Sequence, residues 1–141
     1  MIITEKKKQV KSPEDIAVIF RSVIASEHIT DQSKEHFWVM GLSNKSIVLY
    51  IELVSLGTLD STLVHPREVF RLSIMKACSK IVLVHNHPGN CPLPSKNDET
   101  ITKRLAAAGE VVGIKVLDHI IICEDSHYSF QTEGKLNIDQ N

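Results

Sequence analysis

Cysteine is scarce in this 141-residue chain: three residues, Cys78, Cys91 and Cys123. An odd count without paired spacing argues against a disulfide framework and fits a reducing cytosol. Long apolar runs are also missing. Nowhere do eighteen apolar residues follow one another, and the start, Met1-Ile2-Ile3-Thr4-Glu5-Lys6-Lys7-Lys8, has no core of signal length. The expectation is a soluble, cytoplasmic protein with no membrane segment. An excess of one charge is lacking too, since the net charge is −1 with 23% charged residues. Without a basic field the chain has no electrostatic footprint for a nucleic acid backbone, and Lys6-Lys7-Lys8 is short enough to be a solvated tail. Neither an internal repeat nor a low-complexity segment occurs. The length suits one domain that buries about two-thirds of its unfolded surface. Residues 1–11 read as a flexible N-terminal tail, 12–135 as the domain, and 136–141 as a C-terminal tail that frays.

What is present is concentrated in one stretch, Lys80 to Asp98. Its apolar strand ends in His85-Asn86-His87, and alternation with a period of two puts both imidazoles on one face of the extended segment. Three prolines and a glycine between Pro88 and Pro94 forbid regular structure, so the chain must turn before Ser95. Asp98 follows within one helical turn of Ser95, where its carboxylate can swing back to the same point. Two imidazoles and a carboxylate leave one tetrahedral position of a zinc ion open to water, the arrangement of a catalytic rather than a structural site. Ser95-x-x-Asp98 ahead of a helical pattern is equally close to a capping box, and the two roles can coexist. The adjacent letters His-Asn-His are not those of an HNH nuclease, whose named residues are dispersed through a hairpin and helix.

Around that stretch the chain reads as alternating elements. Ser12-Pro13-Glu14-Asp15 opens a helix with a serine cap, proline at the first position and acids at the positive dipole end. Ile16, Ile19, Phe20, Val23 and Ile24 form its apolar stripe. Strands are expected at 35–42 and 46–56, joined by Ser43-Asn44-Lys45. A helix runs from Pro66 to about Cys78, burying Val69, Phe70, Ile74 and Ala77. A second helix from Ser95 to Ala108 presents Ile101, Leu105 and Ala108 inward and ends at Gly109. Strands follow at 116–123 and 128–130. The order implies an α/β fold, a mixed sheet flanked by helices.

The pattern His85-x-His87-Pro88 followed by Ser95-x-x-Asp98 resembles the metal-binding signature of the JAMM (MPN+) metalloproteases. The longer text, from Val64-His65-Pro66-Arg67-Glu68-Val69-Phe70 through His85-Asn86-His87-Pro88 to Gly113-Ile114 and Val116-Leu117-Asp118-His119-Ile120-Ile121-Ile122, resembles the RadC subgroup over roughly residues 30 to 135. Gly89-Asn90 departs from the Ser-Gly usual there, which affects loop shape but leaves the ligand spacings intact. The resemblance implies a JAMM/MPN-like, cytidine-deaminase-like fold and one zinc ion per chain on His85, His87 and Asp98. It also makes Glu35 the residue that holds the metal's water and shuttles its proton. On spacing alone Glu35 is an ordinary solvated strand-end glutamate. The helix-hairpin-helix type segment usual ahead of the metal domain in full-length subgroup members is not among these 141 residues, so the expectation from them carries no DNA contact of that segment.

The expected chemistry is zinc-dependent hydrolysis of an amide or isopeptide bond. Zinc lowers the pKa of its bound water to about 7, Glu35 acts as general base, and the Ser95 hydroxyl donates to the oxyanion. The expected partner is a protein or peptide substrate bound as an extended strand; a homo-oligomer is compatible with the sequence. The alternative is a catalytically silent MPN-type protein-binding module, or further off a metal-dependent DNA-processing protein. A nucleic-acid deaminase would need His-x-Glu with a later Pro-Cys-x-x-Cys, and neither is present. Asp118-His119 is either a hydrogen-bonded pair inside the sheet or a carboxylate that orients a ligand imidazole. His65, held extended before Pro66, is read as structural with a possible part in shaping the groove. Cys91 is a potential fourth ligand, though an unpaired loop cysteine is more often a bystander, and His36 points to the other face of its strand.

Overall fold

Six strands form one mixed sheet, and helices cover both of its faces. The computed structural model describes residues 2–3, 8–60, 62–89 and 91–136. Asn90, Lys6 and Lys7 therefore lie outside the described residues, as do residues 137–141 of the expected C-terminal tail. In chain order the elements are β1 (Ile2–Ile3), α1 (Pro13–Ala25), β2 (His36–Leu42), β3 (Val48–Leu56), α2 (Pro66–Val69), α3 (Arg71–Met75), β4 (Lys80–Asn86), α4 (Lys96–Val112), β5 (Lys115–Ile122) and β6 (His127–Ser129). The sheet order is β1-β3-β2-β4-β5-β6. Among the described strands only β4 and β5 pair in parallel, joined by the crossover through α4. Among the described helices none is long and apolar enough to cross a membrane.

Helix α1 starts where its sequence requires. The Ser12 hydroxyl accepts the Asp15 N–H at 3.2 Å and Pro13 occupies the first turn. Its buried residues Ile16, Ile19, Phe20 and Val23 lie on Trp38, Met40, Val82, Val84, Ile120 and Ile122. Helix α4 covers the opposite face, packing Ile101 and Leu105 against Phe37, Val39, Ile81 and Leu83. All seven residues of β2 are therefore buried. A large apolar side chain buried in this way, such as Phe20 or Trp38, contributes about 1.5–3 kcal/mol.

Three expectations change. Residues 1–11, expected as a flexible tail, contribute β1, which pairs with Glu52 and Ile51 of β3, and Val10 is buried. Beyond Gly109, where α4 was expected to end, the helix continues to Val112 and closes on Gly113 at φ 78°. Gly109 is instead a close-approach position, because a Cβ there would run into the Ile114 carbonyl. The expected helix from Pro66 to Cys78 breaks at Phe70 into α2 and α3, so its apolar phase resets. Leu72 is buried in consequence, whereas Ile74 is 57% exposed and Ala77 sits at φ 53° on the surface.

Candidate metal centre

The site lies where the carboxyl ends of β4 and β5 meet the first turn of α4. Strand β4 runs antiparallel to β2, with His85 opposite Phe37, and parallel to β5, with His85 beside Ile121. One further bond, from the His87 N–H to the Ile122 carbonyl at 2.9 Å, carries the ladder past the end of β4. His85 and His87 therefore share the face that α4 covers, their rings edge to face at 4.9 Å. At the start of α4 the Ser95 hydroxyl accepts the Asp98 N–H at 3.0 Å, and Asp98 Oδ2 accepts the Ser95 N–H at 2.8 Å. This is a capping box with aspartate at N3. The same carboxylate also meets both imidazoles: Oδ2 lies 3.0 Å from His87 Nε2, and Oδ1 lies 3.1 Å from His85 Nδ1. Capping and convergence coexist in one side chain, which is 1% exposed.

Glu35 stands across from this cluster, immediately before β2. Its Oε1 is 3.5 Å from His85 Nε2, and its Oε2 accepts the Leu59 N–H at 3.4 Å. The Leu59 carbonyl in turn accepts from Asn97 Nδ2 at 2.6 Å, one residue before Asp98. Cys91 takes part through its main chain, not its exposed thiol: its carbonyl faces His87 Nδ1 at 3.1 Å. That contact requires an N–H on Nδ1; Nε2, 3.0 Å from Asp98 Oδ2, donates to the carboxylate when it carries a proton and is the nitrogen left to a cation when it does not.

Other sequence candidates fall elsewhere. Asp118 lies on the α1 side of the sheet, away from the histidine pair. It accepts from Ser129 Oγ at 2.6 Å, from the Gln131 N–H at 2.9 Å and from the His119 N–H at 2.7 Å. These bonds tie β5 to Ser129 of β6 and to the turn after it; of the two alternatives they favour the hydrogen-bonded one and correct the other, a carboxylate that orients a ligand imidazole. His119 is on the metal side but touches neither histidine by hydrogen bond. It stacks on Phe130 at 4.7 Å and bonds through Nδ1 to Thr102, whose hydroxyl donates to the Asp98 carbonyl at 2.7 Å. His65 is the residue ahead of α2, makes no capping bond and is outside the cluster. His36 points away, as expected, and stacks on Trp38 at 4.8 Å. A residue not anticipated from sequence is Asn86, whose carboxamide bonds to the main chain on both sides of Glu35.

Electrostatics support a site built around one negative charge. Burial opposes ionisation of Asp98, but the neighbouring imidazoles and the Ser95 N–H outweigh it and hold the carboxyl well below the usual range. Asp98 in turn raises His87. Full burial pushes His119 down to about 3, helped by the neighbouring His85, so this imidazole is neutral.

Among the described residues His85, His87 and Asp98 form the cluster able to hold a metal, with ligand atoms within 4.8 Å of one another. The donors fit such an ion. Both ring nitrogens of His85 are buried and off-line for a hydrogen bond despite their nearby carboxylates. Leaving a buried polar atom in that state costs about 1–3 kcal/mol, which a cation on its lone pair offsets. Two imidazoles and a carboxylate are a donor set that zinc takes, and each imidazole here meets one oxygen of Asp98, at 3.0 and 3.1 Å.

The chain is similar in sequence to known proteins. A "UPF0758 protein" from Desulforudis audaxviator is 45% identical over 130 residues, covering 92% of this chain and 54% of its own. One from Caldanaerobacter subterraneus is 45% identical over 125 residues, covering 89% and 52%. A third, from Methanosarcina mazei, is 36% identical over 132 residues, covering 94% and 56%. The chain thus spans about half the length of the curated relatives it matches. A family model described as "RadC-like JAB domain" matches residues 10–135, from the buried Val10 to the turn that Asp118 anchors, and the chain belongs to that family.

Proposed function

We propose that the centre binds one zinc ion per chain and hydrolyses amide or isopeptide bonds in a protein or peptide substrate. The observation that carries this reading is the His, His, Asp set with a second carboxylate, Glu35, 3.5 Å from His85 Nε2. Three protein donors leave a fourth tetrahedral position free, as in catalytic zinc sites. Bound there, zinc supplies Lewis acidity and brings a coordinated water to a pKa of about 7. Glu35 then accepts a proton at Oε1 and returns it to the leaving amine, a contribution of about 10²–10⁴ in rate. The Cys91 carbonyl, accepting from Nδ1–H, keeps His87 in the required tautomer and orientation. Ser95 uses its oxygen as a cap acceptor, so its hydroxyl hydrogen is available to a tetrahedral oxyanion.

A cleft of about 520 Å³ opens beside His87, lined among others by Arg21, Ile24, Gln32, Asn86 and Glu124. The cleft lies against α1 and includes His87 but none of Glu35, His85, Ser95 and Asp98, so it borders the centre from the far face of the sheet. The three unpaired thiols support a cytoplasmic setting. To test the reading, the zinc-loaded domain and its Glu35→Gln variant are incubated with a proteome-derived peptide library and with isopeptide-linked lysine peptides. Mass spectrometry then reads new termini. Zinc-dependent cleavage that Glu35→Gln abolishes while retaining zinc is the expected result. A zinc-loaded domain that leaves both probe classes intact favours the protein-binding module instead.

A further inference from the structure

We propose that Asn86, the residue between the two histidines, is the positioning residue for Glu35, an assignment that rests on the proton-transfer role proposed above. Strand alternation turns Asn86 to the face opposite His85 and His87, where it is 4% exposed. There its Oδ1 accepts the His36 N–H, and its Nδ2 donates to the Lys34 carbonyl at 3.0 Å. These two main-chain groups bracket Glu35. The pairing of β2 with β4 has Phe37 opposite His85 as its last register pair at this end. Beyond that pair the Asn86 side chain replaces the main-chain ladder on the β4 edge, while on the β3 edge the Gly57 N–H donates to the Glu35 carbonyl at 2.8 Å.

The grip is reinforced. The Lys34 carbonyl also faces His36 Nδ1 at 2.8 Å, and the His36 ring is locked by its stack on Trp38. On the other side the Glu35 carboxylate is met by the Leu59 N–H, so backbone and side chain are each held. Asparagine suits the task because a planar carboxamide offers a donor and an acceptor at once, whereas leucine of similar shape offers neither and serine cannot span both. Since Asn86 sits between two ligands on the same strand, the metal and its proton acceptor are fixed to one rigid element. Displacing a reacting group by about 1 Å costs about 10²-fold in rate, so such an anchor has a large effect without touching substrate.

Three measurements on Asn86→Leu and Asn86→Ser test the assignment. Zinc content remains one ion per chain, because no ligand is altered. In the metal-free domain, hydrogen exchange of the His36 amide accelerates at least tenfold. With cobalt(II) in place of zinc, the pH midpoint of the visible absorption band moves in the direction that Glu35→Gln moves it. Combined with Glu35→Gln, the Asn86 substitution adds no further movement. A residue with only a structural role would shift the midpoint equally in both backgrounds, and that additivity overturns the proposal, as does unchanged His36 exchange. If Glu35→Gln moves the midpoint but Asn86 variants do not, the positioning role fails alone. An unmoved midpoint in Glu35→Gln itself removes the proton-transfer reading and this inference together. Should Asn86→Leu lack a cooperative thermal transition, Asn86→Ser carries the same measurements.

Discussion

Replacing Asp98 by asparagine should remove metal-dependent stabilisation while leaving the fold nearly intact. In the wild type, zinc at one hundred times its dissociation constant stabilises the native state by about 2.7 kcal/mol. For 141 residues, unfolding entropy of about 2.1 cal/mol/K per residue totals about 0.3 kcal/mol/K, so the melting temperature rises by about 9 °C. Asparagine keeps an oxygen for the Ser95 N–H, which the carboxylate accepts at 2.8 Å, and fills the same buried space. Losing the charge from that bond and from the contacts to both imidazoles costs about 1–3 kcal/mol, or about 3–10 °C in the metal-free protein. What asparagine cannot supply is an anionic ligand to balance the ion. A hundredfold weaker affinity reduces the zinc increment to about 0.4 kcal/mol, or about 1 °C at the same zinc concentration. Differential scanning calorimetry with and without zinc, and again after chelation, measures both quantities. If Asp98→Asn gains the full 9 °C or so, Asp98 is not a ligand and the convergence on it is only a helix cap.

Ser95→Gly separates the two roles of that serine. Glycine at an N-cap costs only a few tenths of a kcal/mol, so melting stays within about 1 °C, while turnover of a cleaved peptide should fall by about 10²–10³; equal turnover assigns the hydroxyl to capping alone. Gly41→Ala should destabilise by about 1–3 kcal/mol, because a Cβ there meets the buried Tyr50 ring and Cys78 Sγ; an unchanged urea midpoint would show that β3 yields freely. His119 carries the pH dependence. Its folded pKa of about 3 lies below the ordinary 6.5, so between those values the unfolded state binds more protons and stability declines as pH falls. Between pH 6 and 4 the metal-free wild type should lose about 2 kcal/mol more than His119→Gln, which still reaches Thr102 but does not titrate. Parallel urea-stability curves for the two proteins would contradict a neutral buried His119.

The metal cluster was legible because local rules generate it. Alternation along β4 aims His85 and His87 together, and a capping position returns Asp98 toward them. Glu35 needed a family resemblance, since nothing within its own segment distinguishes it from a solvated strand end. Asn86 was passed over because its partners are main-chain groups of Lys34 and His36, about fifty residues away and without side-chain identity. The same holds for Cys91, where the carbonyl rather than the thiol faces His87. Gly109 misled because glycine serves both as helix terminator and as a site of close packing. Only the neighbouring Ile114 carbonyl, brought in by β5, decides between them. The α2 and α3 break likewise depends on tertiary packing of Phe70, and the strand at Ile2–Ile3 on the open edge of β3. Asp118 and His119 are adjacent in sequence, yet the pleat sends them to opposite faces with unrelated duties.

Because the Cys91 carbonyl is turned inward and its thiol outward, the loop offers a chemical handle beside the candidate metal site. Cys78 and Cys123 are buried, and burial pushes both thiols up. A maleimide fluorophore would accordingly couple to Cys91 first, in the loop that turns from His87 toward Ser95. Paired with a paramagnetic or quenching ion in the metal centre, that dye would serve as a short-range optical ruler, reporting occupancy by loss of emission without any knowledge of the substrate.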